Sequence, residues 1–477
     1  MTKQRKRLPL ILGILLLIIC LGVGGYLSHQ NRFAPVGEDR YEKTVEFMDL
    51  SGKPVPELEQ LKAFPELKQI DLRSTGLTIG EYETVKSWFS QADILWDIPF
   101  QGGFHDMATE KLTITALTEE DLELLSYFTE LKEIDASDYR DYAMINRLME
   151  RYPQLVISYG IWLEEESYAP DTAQLRLVDA DLDQLEQVLP YFTQLKQVSF
   201  EGTLPGAEAL ISLAAQYPNI EFYWQIDVLG TVADVHTTEL DFSGMPMTST
   251  QELEAAVAYL PNLNKVLMMD CGLSNEQMHE LNKRHENVLF VWNVVLNRFI
   301  TVRSDVTTFA PVVFGLHVWD EDLVNLKYLT ELVVLDLGHM EITNCEFLWD
   351  MTKLEYLILV DTYITDISPA ANLKNLKFLE IFMSPIGDYS PLLGCTALED
   401  LNLCYTRGDP KTLEQMTWLK RLWCNRGAMT NAQYESLIAA LPNTQVVFPY
   451  YGSTSDGWRQ GHLYFEMRDL LGMPYLE

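Results

Sequence analysis

Positive charge is scarce in this sequence. Across 477 residues, 35 Lys and Arg stand against 69 Asp and Glu, a formal net charge of −34 at pH 7. So acidic a surface repels phosphate backbones, which excludes nucleic acid as a partner. Histidine and cysteine are also few, at eight and six. Cys20 lies in an uncharged run. The other five, Cys271, Cys345, Cys395, Cys404 and Cys424, match neither a zinc motif nor a compact disulfide framework. Nucleotide and hydrolase signatures are missing after residue 27: no Walker loop, dinucleotide fingerprint or G-x-S-x-G elbow occurs. His279-Glu280 is followed by His285 at i+6, whereas two zinc ligands on one helix face need i+4. Asp179, Asp181 and Asp183 begin like a calcium loop, but Gln184 stands where the turn needs Gly and Pro190 where the bidentate Glu belongs. The sequence offers no catalytic residue, metal ligand or cofactor site, and it points away from an enzyme.

Apolar residues are present in quantity, at 47%, enough for a large core. Lys3, Arg5, Lys6 and Arg7 precede an uncharged run from Leu8 to Leu27. As a helix, that run spans about 30 Å, the thickness of a bilayer's hydrocarbon core. The basic cluster is expected to stay in the cytoplasm, which makes residues 1–27 a stub and transmembrane anchor and everything after them extracytoplasmic. A cleaved signal peptide ending near Gly22, Gly24 and Gly25 is the alternative. Residues 28–44 show no periodicity and read as a linker.

One pattern dominates the C-terminal half. Leu332-x-x-Leu335-x-Leu337 is followed by Leu354-x-x-Leu357-x-Leu359, Leu376-x-x-Leu379-x-Ile381 and Leu398-x-x-Leu401-x-Leu403, and Leu419-x-x-Leu422 closes the series. The first leucines step by 22, 22, 22 and 21 residues. L-x-L alternation sets two side chains on one face of a short strand. A single unit cannot bury that face, but stacked neighbours share a continuous core. The N-terminal half carries a longer period: Leu67-Lys-Gln-Ile70, Leu131-Lys-Glu-Ile134, Leu195-Lys-Gln-Val198 and Leu263-Asn-Lys-Val266, spaced by 64, 64 and 68. Trp96-x-Ile98, Tyr159-x-Ile161, Trp224-x-Ile226 and Trp292-x-Val294 run in parallel. Each long module reads as strand, helix, strand, helix, strand.

The stretch Tyr363-Ile-Thr-Asp-Ile-Ser-Pro369 with Leu373-x-x-Leu376 resembles the bacterial leucine-rich repeats of the internalin type. The resemblance implies an α/β solenoid, a curved parallel sheet with helices on the convex side. In that family Asn usually follows L-x-L by three residues and ties adjacent backbones together. Here Thr75, Cys271, Met340, Thr362, Ser384 and Thr406 hold that place. Thr, Ser and Cys can replace part of that bonding, and Met340 is expected not to. The resulting division is four enlarged degenerate modules over 45–300, regular repeats over 301–428, and a half-module with a cap over 429–477. The tail from Gly452, with Trp458, Tyr464, Phe465, Met467 and Leu470, is the expected cover for the last repeat.

Such solenoids present the residues flanking the strand leucines on one broad concave face. In the 22-residue repeats these positions hold Tyr356, Ile358, Val360, Phe378 and Phe382, with Arg421 and Trp423 beside them. The matching positions of the first three modules are polar, among them Gln69, Asp71, Glu133, Asp135, Gln197 and Glu201. A contiguous apolar patch facing water marks a binding surface, and aromatics beside Arg match hot-spot composition. The expectation is a non-catalytic module binding a protein or peptide there. The C-terminal tail or the linker lying over the patch stays open as an alternative. A structural envelope protein that organises others, or an enzyme of unrecognised type, are the rival functions.

Overall fold

The computed structural model describes residues 32–475 apart from 55, 426 and 428. The chain forms two compact units, Met1–Phe222 and Tyr223–Glu477. The anchor expected at residues 8–27 lies outside the described residues, and among those described no helix is long and apolar enough to cross a membrane.

In the first unit, the L-x-x-I phrase builds the middle strand of a small parallel sheet. Gln69–Asp71 lies between Phe47–Asp49 and Asp93–Leu95, and Glu133–Asp135 lies between Lys111–Thr113 and Val156–Ser158. Met48, Ile70 and Ile94 face one another across the first of these sheets and are buried. The return from middle to third strand is a ten-residue helix, Ile79–Trp88 or Tyr142–Arg151. Thr78 and Glu81 start the first of these with reciprocal side-chain and backbone bonds, which satisfy two otherwise unpaired N–H groups.

A feature absent from the expected module follows each third strand: an antiparallel hairpin. Asp97–Phe100 pairs with Gly103–Asp106, and Ile161–Leu163 with Glu166–Tyr168. The recurrent aromatics Trp96 and Tyr159 sit at its entrance. Phe33–Val36 pairs with Asp39–Glu42 in the same way, so the stretch expected as a linker over 28–44 contains a hairpin. Ala34 and Val36 are its only fully buried side chains, too few to register as a period. These hairpins break the ladder, so the parallel sheet is interrupted rather than continuous.

The second unit begins with two such hairpins around one more three-stranded sheet, Glu239–Asp241, Lys265–Leu267 and Leu289–Val291. The regular repeats then form a seven-stranded parallel sheet in sequence order. Its strands are Thr308–Phe309, Val334–Asp336, Tyr356–Ile358, Phe378–Glu380, Asp400–Asn402, Arg421–Trp423 and Gln445–Val447. Leu335, Leu357, Leu379, Leu401 and Leu422 stand opposite one another in register. All five enter one continuous core with the Leu332, Leu354, Leu376, Leu398 and Leu419 series. The strand phase read from the sequence is therefore the phase of the structure, and the chain is a leucine-rich-repeat α/β solenoid.

Three of the regular repeats return through 3-10 turns, Glu346–Asp350, Ser368–Asn372 and Ser390–Gly394, and the next through a single α-helical turn, Pro410–Leu413. Twenty-two residues leave room for a short, tight return, whereas the long modules have room for α-helix. Each regular repeat leaves its strand through a left-handed residue, His339, Asp361, Met383 or Tyr405. The positions usually held by Asn work as follows. Ser384 Oγ donates to Leu359 O of the preceding repeat (2.7 Å) and accepts Thr362 N–H (3.1 Å). Cys271 Sγ reaches Phe242 O at 3.2 Å. Met340 does take part, contrary to expectation: its sulfur, a weak acceptor, receives Val318 N–H at 3.5 Å.

Leu357→Asp places a carboxyl in the stacked column without a partner, at a cost of about 4 kcal/mol. The denaturant midpoint of the variant is expected to fall accordingly; an unchanged midpoint contradicts this register.

Candidate functional site: the covered sheet face

Period-two alternation turns Val334, Tyr356, Phe378, Asp400 and Arg421 away from the leucine core, and likewise Asp336, Ile358, Glu380, Asn402 and Trp423. This is the surface that the sequence assigns to a partner. In the structure it is not free. Tyr356, Ile358, Val360, Phe378, Phe382 and Trp423 are all buried, in a second apolar cluster completed by Trp458, Leu463, Tyr464 and Met467 of the C-terminal tail. Arg421 is also covered, its side chain only 14% exposed. The expectation of an exposed patch is thus corrected. The tail does not close the end of the stack; there the strand Gln445–Val447 lies against Arg421–Trp423. Instead the tail lies across the outward columns.

The tail has two parts, the 3-10 turn Trp458–Gln460 and the helix His462–Leu470. Leu463, Tyr464 and Met467 fall at helical spacing on one buried face. The Trp458 ring lies 5.3 Å from Phe378 and 5.2 Å from Trp423, centroid to centroid. The Arg421 guanidinium stands 4.7 Å from the Trp423 ring centre and 4.9 Å from that of Trp458, within cation–π range. The guanidinium also donates to Asp400 (2.7 Å) and to the carbonyls of Gly457 and Trp458 (2.8 Å each). Trp423 Nε1 donates to Ser455 O (3.0 Å) and Asn402 Nδ2 to Ser453 O (2.8 Å). Gly461 permits this approach: a Cβ there would lie 1.6 Å from Arg421 Nη1.

Polar chemistry sits under the tail as well. Glu380 is fully buried and accepts the indole N–H of Trp458. Burial pushes its carboxyl up to about 7, Asp336 adds to this, and the Trp458 bond and Arg459 oppose it. Asp336 is raised by burial against the pull of Gly338 N–H, His339 and Arg468. Asp400 is raised too, burial outweighing its ion pair with Arg421. The Tyr356 phenol is pushed up by burial and by Glu466 of the tail helix. The outward columns read from the sequence include Glu380, Asp400 and Asn402, although the candidate binding residues are only the apolar ones with Arg421 and Trp423.

The rejected motifs are structural. Asp181 caps the helix Leu182–Val188 through the N–H groups of Asp183 and Gln184. His285 contacts Glu254 at 3.1 Å beside Arg284, and Glu254 is held down to about 2, chiefly by Arg284. Among the described residues no cluster of His, Cys, Asp and Glu could hold a metal ion.

No family model and no curated protein matches the chain. Solved structures similar to it include an internalin from Listeria monocytogenes, at 14% identity over 73% of this chain and 84% of that one. An internalin C2 from the same organism matches at 18% over 38% and 88%. A leucine-rich-repeat protein of Leptospira interrogans matches at 15% over 84% and 95%. All three have a TM-score of 0.24, too low to add to what the repeats themselves establish.

Two outcomes follow. Phe378→Ala removes a fully buried ring and is expected to cost about 3–5 kcal/mol of stability in chemical denaturation; a neutral result contradicts the covered face. Glu380 has a folded pKa raised from 4.5 to about 7, so its contribution is fully present below pH 4.5 and is lost as pH rises through about 7. At pH 8, Glu380→Gln is expected to be more stable than wild type by up to about 3 kcal/mol, the advantage vanishing near pH 4. A pH-independent difference contradicts this.

Proposed function

We propose that this chain is a non-catalytic, membrane-anchored recognition protein whose leucine-rich-repeat domain lies outside the cytoplasm and binds a protein or peptide on its sheet face. One observation carries the reading: that face already holds a polypeptide segment. It does so through side-chain bonds to four main-chain carbonyls and a socket for one tryptophan. Such a combination of an aromatic anchor, an Arg and main-chain bonding is the chemistry of peptide recognition. The basic cluster Lys3, Arg5, Lys6 and Arg7 ahead of the uncharged run Leu8–Leu27 supports the anchor and its orientation.

Affinity capture from envelope extracts with the tagged protein tests the binding reading. A specific polypeptide is expected to be retained by wild type and lost from Arg421→Glu; identical retention by both contradicts binding at this face. Protease added to spheroplasts is expected to digest the repeat domain, and full protection contradicts the orientation.

A further inference from the structure

The contacts between tail and sheet are of two kinds, and neither is specific to a tail belonging to the same chain. Arg421, Trp423 and Asn402 bond to the carbonyl oxygens of Ser453, Ser455, Gly457 and Trp458, groups that every polypeptide carries. Beyond these, the sheet demands one indole, at Glu380, and an apolar helix face against Tyr356, Phe378 and Phe382.

The covered surface is also poorly suited to permanent burial. Glu380 and Asp400 are buried beneath the tail with half-buried Asp336 in the neighbouring repeat, and of the three only Asp400 has an ion pair within the sheet. Well-packed apolar side chains in these places would serve a fixed core as well or better. Carboxyls there suit a surface that also meets water. The segment that leads into the tail is exposed and turns at glycines. Tyr450 and Tyr451 are 82% and 77% exposed, and Gly452 and Gly457 adopt left-handed conformations on either side of the first contacts.

We propose that residues 453–475 are an exchangeable internal ligand, displaced when a second protein presents a segment of the same chemistry. That segment is an amphipathic helix led by a tryptophan and carrying arginine or lysine on its flank. In the closed state Arg459 and Arg468 bring positive charge towards Glu380 and Asp336, and cations on the partner's flank would do the same. A net charge of −34 on the chain favours the approach of such a partner. The inference rests on the recognition reading above and names the partner's class.

A fluorescently labelled synthetic peptide of residues 453–475 is the probe. In the full-length protein the tethered tail competes at an effective concentration in the millimolar range. Weakening it with Trp458→Ala is therefore expected to tighten peptide binding about tenfold or more. The same peptide carrying Trp458→Ala is expected not to bind. Equal binding of the peptide by wild type and variant, or of the two peptides by the variant, overturns exchange. A second measurement needs no variant: excess peptide added to wild type is expected to speed amide exchange across His462–Leu470, and unchanged protection overturns the proposal. If envelope capture yields a partner while the peptide neither binds nor loosens the tail, the recognition reading stands and exchange alone falls.

Discussion

The indole of Trp458 meets the sheet where Phe378, Trp423, Arg421 and Glu380 converge, and the outward side of the second unit is organised around that contact. Short strands with period-two alternation have two faces. The leucines settle one by stacking into the core. The other is left with Tyr356, Ile358, Val360, Phe378 and Phe382, which water does not tolerate as a contiguous surface. A turn and a two-turn helix cover it, and Trp458 fixes their position by filling the gap between two aromatic rings and a guanidinium.

Much of this was legible in the sequence, and the physical reasons differ by element. Leu335, Leu357, Leu379, Leu401 and Leu422 recur at a constant step, and strand pairing in register follows because any slip would turn all of them to the wrong side. The same logic identified the outward residues correctly as a group. Exposure was not legible, because periodicity says which side of a strand a residue occupies and nothing about what lies against that side. The tail's apolar residues were visible as a cluster, but a solenoid has two places to be covered, its end and its sheet face. The hairpin at Phe33–Glu42 went unread because Pro35 and Gly37 interrupt a pattern only a few residues long. Met340 was discounted as a bonding residue because a thioether's weak acceptor capacity leaves no trace in a pattern.

The buried carboxyls give the closed face a character unlike that of the leucine core behind it. The core is held by dispersion and by the exclusion of water from leucine, and pH does not touch it. On the tail side, burial raises the Glu380 and Asp336 carboxyls, and the nearby Arg459 and Arg468 oppose this. Two surfaces of the same strands therefore respond differently to their surroundings. Stacked leucines set the permanent architecture, and a polar-edged aromatic socket sets how firmly the tail is held.

Cys404 provides the most direct test, because it is the one thiol placed in the covered cluster, while Cys271, Cys345, Cys395 and Cys424 belong to the leucine core. Burial pushes the Cys404 thiol up to about 12. Alkylation of the native protein, followed by mass spectrometry, is expected to leave Cys404 as protected as the core thiols in wild type. In Trp458→Ala it is expected to expose Cys404 alone. Rapid labelling of Cys404 in wild type would contradict the covered face, and so would a simultaneous rise of all five thiols in the variant.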